Sequence, residues 1–174
     1  MTRVLQRSSL ALGILLWVAP VGFADRIGLG KGFRPPPFTA TDLAGHEQTL
    51  EGYAGQVLVL HFWASWCPYC RKEIPKLQTL QEDRWTSDGV RVIAVSTDHD
   101  PSTLKQFIKE RGVTYPVIAD GEHDLAISEQ YGISGIPVTY VIGRDGRIVK
   151  RLDGSSDIVG TVEEALKASV PHAS

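Results

Sequence analysis

The stretch Val57-Leu-Val-Leu-His-Phe-Trp63-Ala-Ser-Trp-Cys67-Pro-Tyr-Cys70 constrains this chain more than any other. Its first seven residues are mostly apolar and β-branched or aromatic, which predicts a short strand buried on both faces. A brief link follows, and Cys67 opens a segment that reads as helical. Two cysteines separated by two residues at a helix start lie close enough to form a disulfide. The unpaired backbone N–H groups at that helix end favour a thiolate over a thiol. These are the only cysteines in 174 residues, so each has only the other as an internal partner. The pair reads as a dithiol–disulfide redox centre.

The length allows one domain of ordinary size with a real core. An apolar content of 43%, a charged content of 22% and 17 glycines describe a soluble α/β protein, neither a repeat nor a disordered chain. A net charge of -2 gives no support for nucleic-acid binding. Two cysteines supply only half the ligands of a structural zinc site, and the histidines at 46, 61, 99, 123 and 172 are too scattered to complete one. No metal or other cofactor is therefore expected. An inert structural bridge is a poor explanation too, because so small a loop restrains little chain entropy.

Residues 1–24 read as a targeting segment. Arg3 and Arg7 form a basic start, Leu10 to Phe23 is apolar and free of charge, and Gly22-Phe23-Ala24 fits cleavage before Asp25. The stretch contains Pro20 and is marginal for spanning a bilayer if left uncut. A cleaved signal and a retained membrane anchor are the leading readings, with a buried helix behind them. Both leading readings put the domain in the periplasm or another extracytoplasmic space, where disulfides persist. Residues 25–36, rich in Gly and Pro toward their end, read as a linker ahead of a domain over 37–174.

Phe38 to Leu43 and Gln48 to Leu50 suggest a small hairpin. The helix after Cys67 is expected to run to about Trp85, with Ile74, Leu77 and Leu80 facing inward and Pro75 introducing a kink. Val90 to Ser96 reads as a second buried strand, and Asp100-Pro101 as a capped helix start that Gly112 closes. Val113 to Ala119 is expected as a short strand and Leu125 to Tyr131 as a short helix stopped by Gly132. Val138 to Ile142 and Arg147 to Leu152 flank the hairpin signal Gly143-Arg-Asp-Gly146. Thr161 with Glu164 reads as a capping box for the last helix. Together these predict a mixed central sheet covered on both sides.

Trp66-Cys67-Pro68-Tyr69-Cys70, the helix proline Pro75 and the loop Gly135-Ile136-Pro137-Val138-Thr139 occur in the order that resembles the thioredoxin superfamily. More closely they resemble its exported, often membrane-tethered TlpA/ResA/CcmG-like thiol-disulfide oxidoreductases. The resemblance runs from about Pro36 to the final helix. It implies an α/β thioredoxin-like three-layer fold, with an inserted strand–helix pair around Asp98 to Ala119. It further implies that Pro137 is cis and presents the Ile136 backbone to an incoming chain.

Cys67, at the helix start, is expected to attack, and Cys70, one turn in on the buried side, to resolve. Trp66, Pro68, Tyr69 and Ile136 are candidate client contacts. In similar proteins a glutamate at the position of Glu73 influences cysteine ionisation; a solvated first-turn acid is the plainer reading. His61 aligns with a buried acid in thioredoxin, and reads either as a proton relay or as a hydrogen-bonded core histidine.

The resemblance implies reduction of disulfides in client proteins, such as apocytochrome c or metal-site assembly proteins, with electrons from a membrane thiol-reductant donor. Peroxide reduction is a second reading, although Phe-Trp-Ala-Ser-Trp ahead of Cys67 lacks the Pro and Thr of a peroxiredoxin site. A non-catalytic binding or chaperone module is a third, under which loss of both cysteines leaves activity intact.

Overall fold

The computed structural model describes residues 26–123, 126–154 and 156–168; the expected targeting segment, Leu125 and the tail after 168 lie outside them. A two-stranded hairpin, β1 (Thr39–Thr41) with β2 (Glu47–Thr49), precedes the main sheet. Asp42 Oδ1 builds its turn by accepting the amides of Ala44 and His46, each at 2.9 Å. The chain continues through β3 (Val57–Trp63), α1 (Pro68–Gln81), α2 (Asp83–Ser87), β4 (Val90–Ser96) and α3 (Pro101–Arg111). It then forms β5 (Val117–Ala119), α4 (Ala126–Gln130), β6 (Val138–Ile142), β7 (Ile148–Asp153) and α5 (Ile158–Ala168). The predicted strand 57–63, the predicted strand 90–96 and the predicted strand 138–142 are all found with those bounds.

Five strands form one mixed sheet in the order β5-β4-β3-β6-β7. β3 is central, parallel to β4 and antiparallel to β6. Alternation along β3 divides the core. Val57, Val59 and Trp63 pack with Ile74, Leu77 and Leu80 of α1, and this layer includes Leu104 of α3 and Val162 of α5. Leu58, Leu60 and Phe62 pack on the other side with Phe38, Ile127 of α4, Tyr131 and Tyr140. The sheet is thus covered on both faces, as a strand buried along its whole length requires. The insertion expected around Asp98 to Ala119 is present as α3 followed by β5, which extends the sheet beyond β4. Residues 26–36 lie against the domain: Gly32 N and Phe33 O bond Ile148, and Tyr131 Oη donates to Pro36 O at 2.7 Å.

Several boundaries differ from expectation, each for a local reason. The first helix stops at Gln81 because Glu82 turns extended, and Thr86 Oγ1 donates to the freed Gln81 carbonyl at 2.6 Å. Only Val117–Ala119 of the expected 113–119 strand joins β4; Pro116 just before it has no N–H to contribute to a ladder. β7 begins at Ile148 since the Arg147 amide is taken by Asp145 Oδ1 in the turn. The predicted capping box at Thr161 is corrected: α5 starts three residues earlier, and Asp157 Oδ1 accepts the Gly160 amide at 2.9 Å. Thr161 instead lies in the first turn and donates back to Asp157 O.

Candidate active site at the start of the first helix

Trp63 ends β3, and the link Ala64-Ser65-Trp66 carries the chain to Cys67. That link is held by a buried acid. Asp98 accepts from Ser65 N at 2.8 Å, Ser65 Oγ at 2.6 Å and Ser96 Oγ at 2.6 Å. Arg71 Nε donates to Ser65 O from the helix side at 2.5 Å. Three donors on one buried carboxylate make a rigid anchor, since hydrogen bonds to charged acceptors are the stronger kind. Sequence reasoning missed Asp98; its signal was an acid two residues beyond a mostly apolar, buried strand.

Cys67 is the N-cap residue of α1 with extended backbone, and its Sγ accepts the Cys70 amide at 3.1 Å. Pro68 follows at the first helical position, where its missing N–H costs nothing. Cys67 and Cys70 form a disulfide with Cα atoms 5.3 Å apart. Cys67 retains 4% exposure whereas Cys70 is fully buried, so the first cysteine is the nearer of the two to solvent. Trp66 and Tyr69 stand out into solvent on either side, 63% and 62% exposed, with Pro68 also exposed between them.

The Ile136–Pro137 peptide is cis. β6 runs antiparallel to β3 with Val138 opposite Phe62 and Thr139 opposite His61. Pro137 therefore lies at the sheet end where β3 delivers the cysteine loop. Its carbonyl accepts from Gly154 N at 2.9 Å, while Ile136 is half-buried.

His61 and Glu73 meet beneath this end of the sheet. His61 lies on the β3 face shared with Val59 and Trp63, which also packs the cysteines. Its Nδ1 is 2.9 Å from Thr139 Oγ1 and 3.9 Å from Glu73 Oε2. Glu73 is fully buried, which overturns its reading as a solvated first-turn acid; the Ser156 amide, 3.3 Å from Oε1, closes over it. His61 Nε2 and Glu73 Oε2 have no hydrogen-bond partner among the described residues. Burial raises the Glu73 pKa above its ordinary value, against the lowering effect of the Ser156 amide and Lys76. Burial also pulls His61 from 6.5 down to about 3. With the imidazole neutral, its contact with Glu73 is not an ion pair.

A folded state that refuses the proton which the unfolded chain takes is weakened by acid. The His61 contribution is intact above pH 6.5 and is lost as pH falls toward 3, by about 5 kcal/mol in all. Glu73 works in the opposite direction, losing its contribution as pH rises through its raised pKa. In urea titrations between pH 7 and 4, His61→Leu is expected to lose less stability than the unchanged protein. Equal losses would show that the imidazole is not buried neutral.

A family model described as Redoxin matches residues 30–167 of the chain. The chain belongs to the redoxin family of the thioredoxin superfamily. This redoxin is 32% identical over 132 residues to the thiol-disulfide oxidoreductase ResA of Bacillus anthracis, covering 76% of this chain and 75% of that protein. It is 31% identical over 145 residues to ResA of Bacillus subtilis, covering 83% and 78%. Among solved structures it resembles a thiol:disulfide interchange protein DsbE of Chlorobium tepidum, with a TM-score of 0.73 and 26% identity over 80% of this chain and 99% of that one. StoA of Bacillus subtilis is likewise similar, with a TM-score of 0.62 and 30% identity over 74% and 96%. The redoxin is a ResA/DsbE-like thiol-disulfide oxidoreductase, and its cysteine pair runs a dithiol/disulfide cycle with cysteine-containing client proteins.

Proposed function

We propose that the protein works outside the cytoplasm as a reductant of client disulfides, with Cys67 as the attacking sulfur. The observation that carries this assignment is the asymmetry of the pair: Cys67 caps the helix and keeps slight exposure, whereas Cys70 has none. In the reduced protein the Cys67 thiolate attacks one client sulfur and the client's other sulfur leaves as a thiolate. Cys70 then loses its proton and attacks Cys67 Sγ, which restores the internal disulfide and releases the second client thiolate. Two electrons pass from the pair to the client. The proton from Cys70 goes to Glu73, one helical turn away, and from there to the departing sulfur.

Pro137 and Ile136 offer backbone to the client chain in this reading, and Trp66, Pro68 and Tyr69 form the surface it meets. His61, fixed by Thr139, places an uncharged imidazole beside the carboxyl. The likeness to ResA and DsbE proteins supports an extracytoplasmic site of action, with residues 1–24 as its signal or anchor and 25–36 as the connection to the domain. Clients of the assembly type, cysteine pairs awaiting haem or a metal, fit a reductive role, supplied by a membrane thiol donor. Among the described residues no helix is long and apolar enough to cross a membrane.

Two measurements test this. Rapid acid quenching and thiol alkylation of source cells should find Cys67 and Cys70 mainly reduced; a pair mainly oxidised would make the protein an oxidant. Glu73→Gln should slow closure of the internal disulfide about 100-fold at neutral pH, within the usual range for a lost proton acceptor. It should also flatten the pH dependence of that step. An unchanged pH profile would remove Glu73 from the mechanism.

A further inference from the structure

The face of α1 that begins at Cys67 continues through Arg71, Ile74, Pro75 and Gln78, residues spaced to share one side of a helix. Across from it stands α3. Between the two helices lies a groove of about 350 Å³, with Ile74 and Pro75 among its lining and Arg71 and Arg111 on its walls. Both guanidiniums rest on the same ring: Arg71 Cζ is 5.2 Å and Arg111 Cζ 5.4 Å from the centre of Phe107. Stacking of this kind fixes the direction of a long side chain. Arg71 is further fixed through Nε on Ser65 O. Neither arginine belongs to an ion pair among the described residues. Glu82, also in the lining, accepts from Gln78 through Oε1, and Glu110 accepts from Gln106. A net charge of -2 for the chain makes this cationic pair a local feature.

We infer that this groove is a client-specificity site: it receives a stretch of the client next to the reacting cysteine that carries an apolar residue and a carboxylate. The apolar residue lies on Ile74 and Pro75, and the carboxylate sits between Arg71 and Arg111. The inference rests on the thiol-disulfide exchange reading and names the class of protein it favours. Planar guanidiniums on the walls of one groove match a carboxylate in geometry as well as charge. Glu82 at the outer end opposes a longer acidic run, so one acid close to the cysteine fits better than a polyacidic tail. The helix supplying Arg111 belongs to the insertion, which gives that insertion a recognition role.

The test uses the full-length reduced protein and three disulfide-bridged peptides that differ only in the residues flanking their cysteines: Leu-Glu, Leu-Gln or Leu-Lys. Neutral 2,2′-dipyridyl disulfide serves as a reference oxidant. In 20 mM salt the Leu-Glu peptide should be reduced about 10-fold faster than the Leu-Lys peptide, and the gap should close at high salt. Arg111→Glu should reverse the order without changing the dipyridyl rate; Arg111→Ala should abolish it. Lys105→Glu, which makes the same change of net charge elsewhere on α3, should leave the order intact. Equal peptide rates, or an order unmoved by either Arg111 variant, would overturn the groove while leaving the exchange reaction standing. Failure to reduce any of the four disulfides would overturn both.

Discussion

Cys67→Ser is expected to abolish reduction of client disulfides, lowering turnover by at least about 10³-fold. The serine hydroxyl keeps the capping position and can still accept the Cys70 amide, so the helix start survives. What disappears is the nucleophile, because a hydroxyl without an adjacent base is a poor substitute for a thiolate. Loss of stability does not explain the effect. The bridge closes a loop of four residues, whose chain-entropy contribution is about 2 kcal/mol. A thermal unfolding curve should therefore show a folded variant, while assay with a dithiol-regenerated cycle shows no turnover. Substantial residual turnover in a variant that keeps only Cys70 would mean that the buried sulfur attacks.

Asp98→Ala should carry the largest penalty away from the sulfurs, about 3 kcal/mol in urea unfolding. The carboxylate is buried and accepts from Ser65 twice and from Ser96 once. Its removal leaves three buried donors without their acceptor, including a backbone amide in the link to Cys67. Asp98→Asn keeps one acceptor oxygen and should lose less. Activity should fall as well, by about 10-fold, since small misplacement of a reacting group costs rate steeply. A penalty below about 1 kcal/mol would show that the link is held by Arg71 and the Thr97–Trp63 backbone bond alone.

The central architecture was legible because its signals are local and unbroken. Val57–Trp63, Val90–Ser96 and Val138–Ile142 are mostly apolar runs that begin directly after Gln56, Gly89 and Pro137, and their strands begin there too. Helix ends were less legible. Nothing between Gln81 and Trp85 forbids a helix, yet tertiary packing turns Glu82 extended and seats Trp85 in the core. Thr161 and Glu164 satisfy a capping pattern, but Asp157 satisfies the same need one turn earlier. Such competition is settled by packing of Ile158 and Val162, not by the pattern itself.

The site divides in the same way. The cysteine pair and the helix start are adjacent in the chain, and their relation could be read directly. Glu73 stayed open between a solvated and a buried acid because the Ser156 amide that closes over it comes from 83 residues downstream. His61 was recognisable as buried from its strand, but Thr139, its partner, arrives from 78 residues away. Asp98 lies in the polar run Ser96-Thr-Asp-His-Asp100, which by composition alone is an ordinary loop. The convergence of Arg71 and Arg111 on the Phe107 ring joins residues of α1 and α3 and has no signature in either helix alone.

Reaction of the Cys70→Ser protein with a disulfide-bridged client peptide, followed by intact mass and peptide mapping, tests the account most directly. A single stable adduct on Cys67, released by added dithiothreitol, is the predicted product. A protein that forms no adduct, although the unchanged chain reduces the same peptide, would contradict it.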